Sequence, residues 1–155
     1  ITAEFPAVSE NEALARTIVS AFVLETDPDI EMLSDIRTAV SEAVTNSIIH
    51  GYKGCAISEN GTENVIKMTC IRKGYELEVC IQDFGCGIND IRKAMQPMFT
   101  TAPELERSGL GFTIMESFMD YLYVESILNK GTVIHMRKAL CTPVSSEDEL
   151  SYTDI

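Results

Sequence analysis

Tryptophan is absent, histidine occurs only at positions 50 and 135, and 12 basic residues face 24 acidic ones in a chain of 155. The shortage of bases leaves a formal charge of −12, which excludes a general nucleic-acid binder, since that needs a basic footprint. A basic partner protein is compatible with it. No run approaches the ~20 apolar residues of a membrane-spanning helix, so insertion in a membrane is excluded. Cys55, Cys70, Cys80, Cys86 and Cys141 form no CxxC pair. With two histidines besides, a zinc site would need scattered ligands, and an odd number of thiols reads as reduced, intracellular usage. The opening residues ITAEFPAVSE lack the basic and apolar stretches of a signal peptide, so a cytoplasmic protein is expected. Length and an apolar content of 45% are those of one ordinary globular domain.

What is there alternates helix and hairpin patterns. Strand character around Phe5 and Val8 leads to Ser9 and Glu12, a capping-box spacing that opens a helix. Ala13, Leu14, Thr17, Ile18, Ala21 and Phe22 predict its buried face, with Arg16 on the opposite, exposed side. After the Asp27-Pro28 break, a second helix is expected from about Glu31 to Ile49, ended by Gly51, with Ile36, Ala39, Val40, Ala43, Val44 and Ser47 on its apolar stripe. A Gly/Asn/Ser loop over 51–64 precedes two alternating runs, 65–72 and 75–83, joined at Lys73-Gly74. A short helix near 89–95, a helix from 109–111 onwards, and a second hairpin of strands 121–127 and 131–138 complete the pattern. This predicts an α+β, two-layer sandwich over residues 1–138: a mixed, mostly antiparallel sheet with helices on one face. Residues 139–155, acidic and rich in serine, are expected to form a disordered tail.

Three short motifs can carry chemistry. Glu42 and Asn46 lie four residues apart in SEAVTNSIIH, bordering the apolar stripe; a carboxylate suits a general base, and an amide oxygen suits Mg²⁺. Taken alone, that spacing is a weak signal, more often a solvated helix face with no chemistry. Asp83-Phe84-Gly85-Cys86-Gly87 follows a strand. Glycines at alternate positions let backbone approach a flat ligand, while an aspartate accepts from an amine; the plain alternative is a strand-to-helix turn. In Arg107-Ser108-Gly109-Leu110-Gly111, a glycine-rich turn opens a helix whose free N–H groups can hold phosphate oxygens, with Arg107 as a further donor, or simply cap the helix.

The ordered series EAVTNSIIHGY, DFGCGI, QPMFTTAPELERSGLGFTIMESFMD and NKGT, preceded by ENEALARTIVSAFV, resembles the GHKL ATPase/kinase superfamily and, within it, the family of anti-sigma-F factors of spore-forming bacteria. The resemblance covers nearly the whole chain. It implies a Bergerat (GHKL-type) fold that binds ATP and Mg²⁺, forms a homodimer, sequesters a sporulation sigma factor and phosphorylates a serine of an anti-anti-sigma factor. By the same resemblance, Glu42 is the base and Asn46 the Mg²⁺ ligand. Asp83 reads the adenine amino group with Gly85 and Gly87 beside the base, and Thr132 closes the adenine pocket. A lid from about Met98 to Gly111 contributes Thr100, Thr101, Ser108, Gly109, Leu110 and Gly111 to the nucleotide and Arg107 to its γ-phosphate. Arg16 is the partner-binding arginine. The chain departs from the family at Ala102, where lysine is common, at Phe84, where a polar residue is usual, and in a longer loop between Tyr52 and Val65.

Two functions compete: a serine kinase that is also an anti-sigma factor, and a non-catalytic module whose sigma binding is gated by nucleotide. An intact Glu42 favours the kinase. A histidine-kinase catalytic domain is disfavoured, because no separate helix carries a phospho-acceptor histidine. Charge is unevenly spread: residues 1–35 hold eight acids with Arg16 as the sole base, residues 36–138 are nearly neutral, and 139–155 hold four acids and no base. The expected nucleotide site therefore sits in the near-neutral middle.

Overall fold

The computed structural model describes residues 1–52, 64–98 and 109–140. Strand β1 (Thr2–Pro6) leads into helix α1 (Glu10–Val23), which tightens into a 3-10 turn at Leu24–Thr26. Asp27 then takes a left-handed conformation, with φ 48°, and Pro28 follows, so the chain turns sharply before α2 (Ile30–Asn46). Asp29 is a working N-cap: its carboxylate accepts from the Met32 N–H at 2.7 Å. Beyond Asn46, the helix widens into a π turn, Ser47–Gly51. The remaining elements are β2 (Val65–Lys73), β3 (Glu76–Asp83), the single turn α3 (Ile91–Ala94), α4 (Gly111–Phe118), β4 (Tyr121–Ile127) and β5 (Gly131–Ala139).

The strands form one sheet in the order β1-β2-β3-β5-β4, and every pairing among the described residues is antiparallel. The pleat sends alternate residues to opposite faces. One row of the inner face runs Ala3, Met68, Ile81, Ile134, Val124 across all five strands, and the next runs Cys70, Val79, Met136, Leu122. Most of these side chains are fully buried, each worth about 1.5–3 kcal/mol of transfer free energy for the larger ones. α2 covers the centre of this face through Ile36, Ala39, Val40, Ala43 and Val44, all at 0% exposure, as the stripe predicted. α1 packs against α2 over β2, and α4 packs against α2 over β4. The outer face carries Lys67, Glu78, Gln82, His135 and Glu125, and no helix packs on it among the described residues. No described helix is long and apolar enough to cross a membrane.

Helix α1 departs from expectation. Its fully buried residues are Ala15, Val19 and Val23, whereas Ala13, Leu14, Thr17 and Ala21 are exposed. Two adjacent stripes both satisfy a 3.6-residue period, and only contact with α2 and the sheet selects between them. The choice rotates Arg16 to within about 60° of the buried centre at 100° per residue, so it faces α2 with 38% of its side chain exposed. The capping box is also not made: Ser9 has helical dihedrals and no side-chain cap, and Glu12 turns instead to Arg16 and to the Ser41 hydroxyl on α2. The β2–β3 turn is Gly74-Tyr75, one residue later than Lys73-Gly74, since Lys73 pairs with Glu76. Tyr75 is accordingly exposed rather than continuous with Leu77. The longer loop lies largely outside the described residues, as does Ala102 of the lid; of the tail expected over 139–155, Ala139 instead ends β5 and Leu140 is 1% exposed with its N–H on the Tyr75 carbonyl at 2.7 Å, and the rest lies outside the described residues.

Candidate nucleotide-binding site

The end of α2 positions the site. Glu42 and Asn46 are half-buried one turn apart and both face the first residue of α4. A Cβ on Gly111 would lie 3.1 Å from Glu42 Oε2 and 3.1 Å from Asn46 Oδ1. A carboxylate and an amide oxygen therefore meet where the N-terminal N–H groups and positive dipole end of α4 converge. Only a hydrogen at position 111 leaves that cradle open.

The next residue, Ser47, begins the π turn, a rare geometry that concentrates at functional sites. Its far end, Gly51, lies on the Asp83 carboxylate, with room for no side chain: a Cβ would fall 2.9 Å from Asp83 Cγ. The Gly51 carbonyl accepts the Cys86 N–H at 2.7 Å. The Cys86 thiol donates towards the carbonyls of His50 and Gly51 at 3.2 and 3.3 Å. Gly85 sits at this crossing, where a Cβ would be 1.7 Å from the Gly51 oxygen. The π turn and the glycine-rich turn are thus locked backbone to backbone.

Asp83 ends β3 on the inner face, two residues after Ile81, and is 3% exposed. Its Oδ1 accepts the N–H groups of Gly85 at 3.0 Å and Thr132 at 3.2 Å. Burial pushes the carboxyl above its ordinary value; the Gly85 N–H, the Ser47 hydroxyl and the Thr132 N–H oppose that rise. The Ser47 Oγ is close enough to favour the ionised form but completes no hydrogen bond of good geometry with any described residue. A buried carboxylate beside a hydroxyl with capacity to spare is a polar floor suited to a ligand amine. Thr132 is 6% exposed, and its hydroxyl shares a 2.9 Å hydrogen bond with Ser126. Ser126 in turn accepts the Ile88 N–H at 2.7 Å and donates to the Gly131 carbonyl at 3.1 Å.

The structure therefore brings Glu42, Asn46 and Gly111 together, and Asp83, Gly85 and Thr132 together, with the consecutive residues Asn46 and Ser47 joining the two groups. Gly87 rests against the Ile127 carbonyl, Gly109 against the Met98 backbone, and Leu110 is the residue before α4. Thr100, Thr101, Arg107 and Ser108 lie outside the described residues. Arg16 belongs to a different surface, between α1 and α2, in an ion pair with Glu12 at 2.8 Å. Sequence reading passed over Ser47 as a site residue, and over Tyr52 and Ser126. Ser126 opposes Thr132 in the β4–β5 register, so the predicted hairpin already implied it. Tyr52, whose hydroxyl donates to the Val65 carbonyl and accepts the Phe84 N–H at 2.9 Å, had no such signal.

Residues 5–138 match the family described as histidine kinase-like ATPase domain; fold and site together define an ATPase-type, nucleotide-binding domain of that class. The chain is 50% identical over 138 residues to the anti-sigma F factor of Geobacillus stearothermophilus, covering 89% of this chain and 90% of that one. It is 53% identical over 135 residues to that of Clostridium kluyveri, covering 87% and 90%. The chain belongs to the anti-sigma F factor family. Among solved structures, the RsbU and RsbW domains of a Mycobacterium tuberculosis protein align with a TM-score of 0.62 at 15% identity, over 90% of this chain and 31% of that one. The histidine kinase domain of a blue-light activated histidine kinase from Erythrobacter litoralis EL346 aligns at 0.51 and 23% identity, over 71% of this chain and 45% of that one. At those identities the likeness is one of fold.

Proposed function

We propose that this chain is an ATP-dependent anti-sigma factor that acts as a homodimer, sequesters a sporulation sigma factor and phosphorylates a serine of an anti-anti-sigma partner. The observation that carries the reading is the meeting of Glu42 Oε2 and Asn46 Oδ1 at Gly111, the mouth of α4. Family membership with anti-sigma F factors supports the choice of partners.

The residues fit the groups involved. An amide oxygen is a hard donor of the kind Mg²⁺ takes, so Asn46 would hold the ion, which when bound draws charge from the phosphates. Asp83, its Oδ1 already fixed by two N–H groups, would accept the adenine amino group through its other oxygen, with Gly85, Gly87 and Thr132 around the base. The N–H groups at Gly109, Leu110 and Gly111 would hold phosphate oxygens. Thr100, Thr101, Ser108 and Arg107 belong to the same reading as the lid, with Arg107 balancing charge on the γ-phosphoryl. The partner's serine Oγ forms a bond to the γ-phosphorus, the bond to the β–γ bridging oxygen breaks, ADP leaves, and Glu42 takes the serine proton.

Incubation with ATP·Mg²⁺ and the anti-anti-sigma partner tests this. Wild type should yield phosphoserine, and Glu42→Ala should slow the transfer by about 10²–10⁴-fold with ATP affinity little changed. Unchanged transfer in the variant would remove Glu42 from the mechanism. Tight, ATP-dependent sigma binding by a wild type that forms no phosphoprotein would favour the nucleotide-gated module instead.

A further inference from the structure

Ser126 stands opposite Thr132 across the β4–β5 hairpin, and its half-buried hydroxyl meets three groups. They are the Ile88 N–H at 2.7 Å, the Gly131 carbonyl at 3.1 Å and the Thr132 hydroxyl at 2.9 Å. A hydroxyl has one hydrogen to give and two lone pairs to offer. An N–H only donates and a carbonyl only accepts, so Ser126 accepts from Ile88 and spends its single hydrogen on Gly131. One lone pair is left for Thr132, which must donate in that bond. The Thr132 hydrogen is thereby committed to Ser126, and the Thr132 oxygen keeps only lone pairs for its other neighbours. Beside it on the inner face is Asp83, whose Oδ1 takes the Thr132 N–H at 3.2 Å and the Gly85 N–H at 3.0 Å. The hairpin and the glycine-rich turn are also joined without Ser126, through the Asn129 N–H on the Cys86 carbonyl at 2.9 Å and the contact of Gly87 with the Ile127 carbonyl.

We propose that Ser126 is a positioning residue that sets base specificity: by taking the Thr132 hydrogen it fixes that hydroxyl as an acceptor, so that the pocket admits a 6-amino purine and rejects a 6-oxo one. The inference rests on the reading of Asp83 and Thr132 as the adenine site and extends it to a residue that does not touch the base. With Oδ1 of Asp83 occupied by two N–H groups, Oδ2 and the Thr132 oxygen both present lone pairs. An exocyclic amine has two N–H groups to give them. A 6-oxo group has none and sets lone pairs against lone pairs, leaving the acceptors of the site unpaired. A Thr132 hydroxyl free to turn would instead donate to the oxo group, and part of the discrimination would vanish. Ser126 therefore acts against the wrong base more than for the right one.

The test is calorimetric titration of the full chain with ATP·Mg²⁺ and with ITP·Mg²⁺, whose base carries a 6-oxo group and, like adenine, no 2-amino group. Wild type should prefer ATP by at least about a hundredfold. Ser126→Ala should narrow that ratio about tenfold, chiefly by strengthening ITP relative to ATP, and Ser126→Thr, which restores the hydroxyl, should recover it. Thr132→Val should narrow the ratio as well, and adding Ser126→Ala to it should narrow the ratio no further, since the two act as one unit. Should Ser126→Ala melt too low to titrate, Thr132→Val alone decides: a ratio equal to that of wild type overturns the inference. If Ser126→Ala weakens both nucleotides by the same factor, Ser126 is structural and the inference falls, while the adenine reading of Asp83 stands. If the wild type binds ATP and ITP equally, that reading falls and the inference with it.

Discussion

Asp83 is a carboxylate on the apolar side of a sheet, a placement that costs free energy unless the charge is satisfied. Its position was legible: the two-residue period that buries Leu77, Val79 and Ile81 carries the next inner position to 83. The groups that satisfy it were not, because Gly51 and Thr132 arrive from distant parts of the chain. Its folded-state value is raised, so between the ordinary and the raised value folding takes up a proton. The contribution to stability is therefore greatest below the ordinary carboxylate range and is lost as pH rises through the folded value. Asp83→Asn keeps an oxygen for the Gly85 and Thr132 N–H groups, removes that pH dependence and replaces the second oxygen with a donor. Thermal melts from pH 4 to 8 should show the variant without nucleotide at least as stable as wild type at neutral pH. Calorimetric titration should show ATP affinity at least about tenfold weaker, since a donor now opposes the adenine amine. A variant destabilised equally at every pH would refute the account.

Among elements, α2 with its π turn joins the two halves of the site, and α4 closes one of them. Gly111 is in the first turn of α4, where glycine weakens a helix relative to alanine by up to about 1 kcal/mol. Gly111→Ala should therefore hold or raise the melting temperature. Its Cβ would press on Glu42 Oε2 and Asn46 Oδ1 at 3.1 Å, so ATP·Mg²⁺ affinity should fall several-fold in the same preparation. Equal losses of stability and affinity would show that the tight contact is mere packing. The stripe of α2 was readable because only one apolar face exists on it; α1 offered two, and its true face depended on what packs against it. The π turn had no sequence signal, being imposed by the approach of Gly51 to Asp83 and Gly85.

For the whole molecule, the charge of −12 resolves into −7 over residues 1–35, −1 over residues 36–138, which hold the candidate nucleotide site, and −4 over residues 139–155, so acidity need not oppose an anionic ligand. A basic sigma factor should be drawn to the α1 face mainly through its association rate. Stopped-flow measurement between 50 and 500 mM salt should show the on-rate falling by about tenfold or more as the Debye length shortens; a salt-independent on-rate would count against it. Periodicity, turn residues and motif order were enough for the α+β class, the hairpins, the helices and most residues of the candidate site, because each follows from local backbone preference or short-range spacing. Which side of α1 is buried, the turn of Arg16 towards α2, and the enclosure of Asp83 by Gly51, Ser47, Gly85 and Thr132 were decided only in three dimensions. Each depends on contacts between segments far apart in the chain, where packing selects among arrangements that local sequence leaves nearly equal.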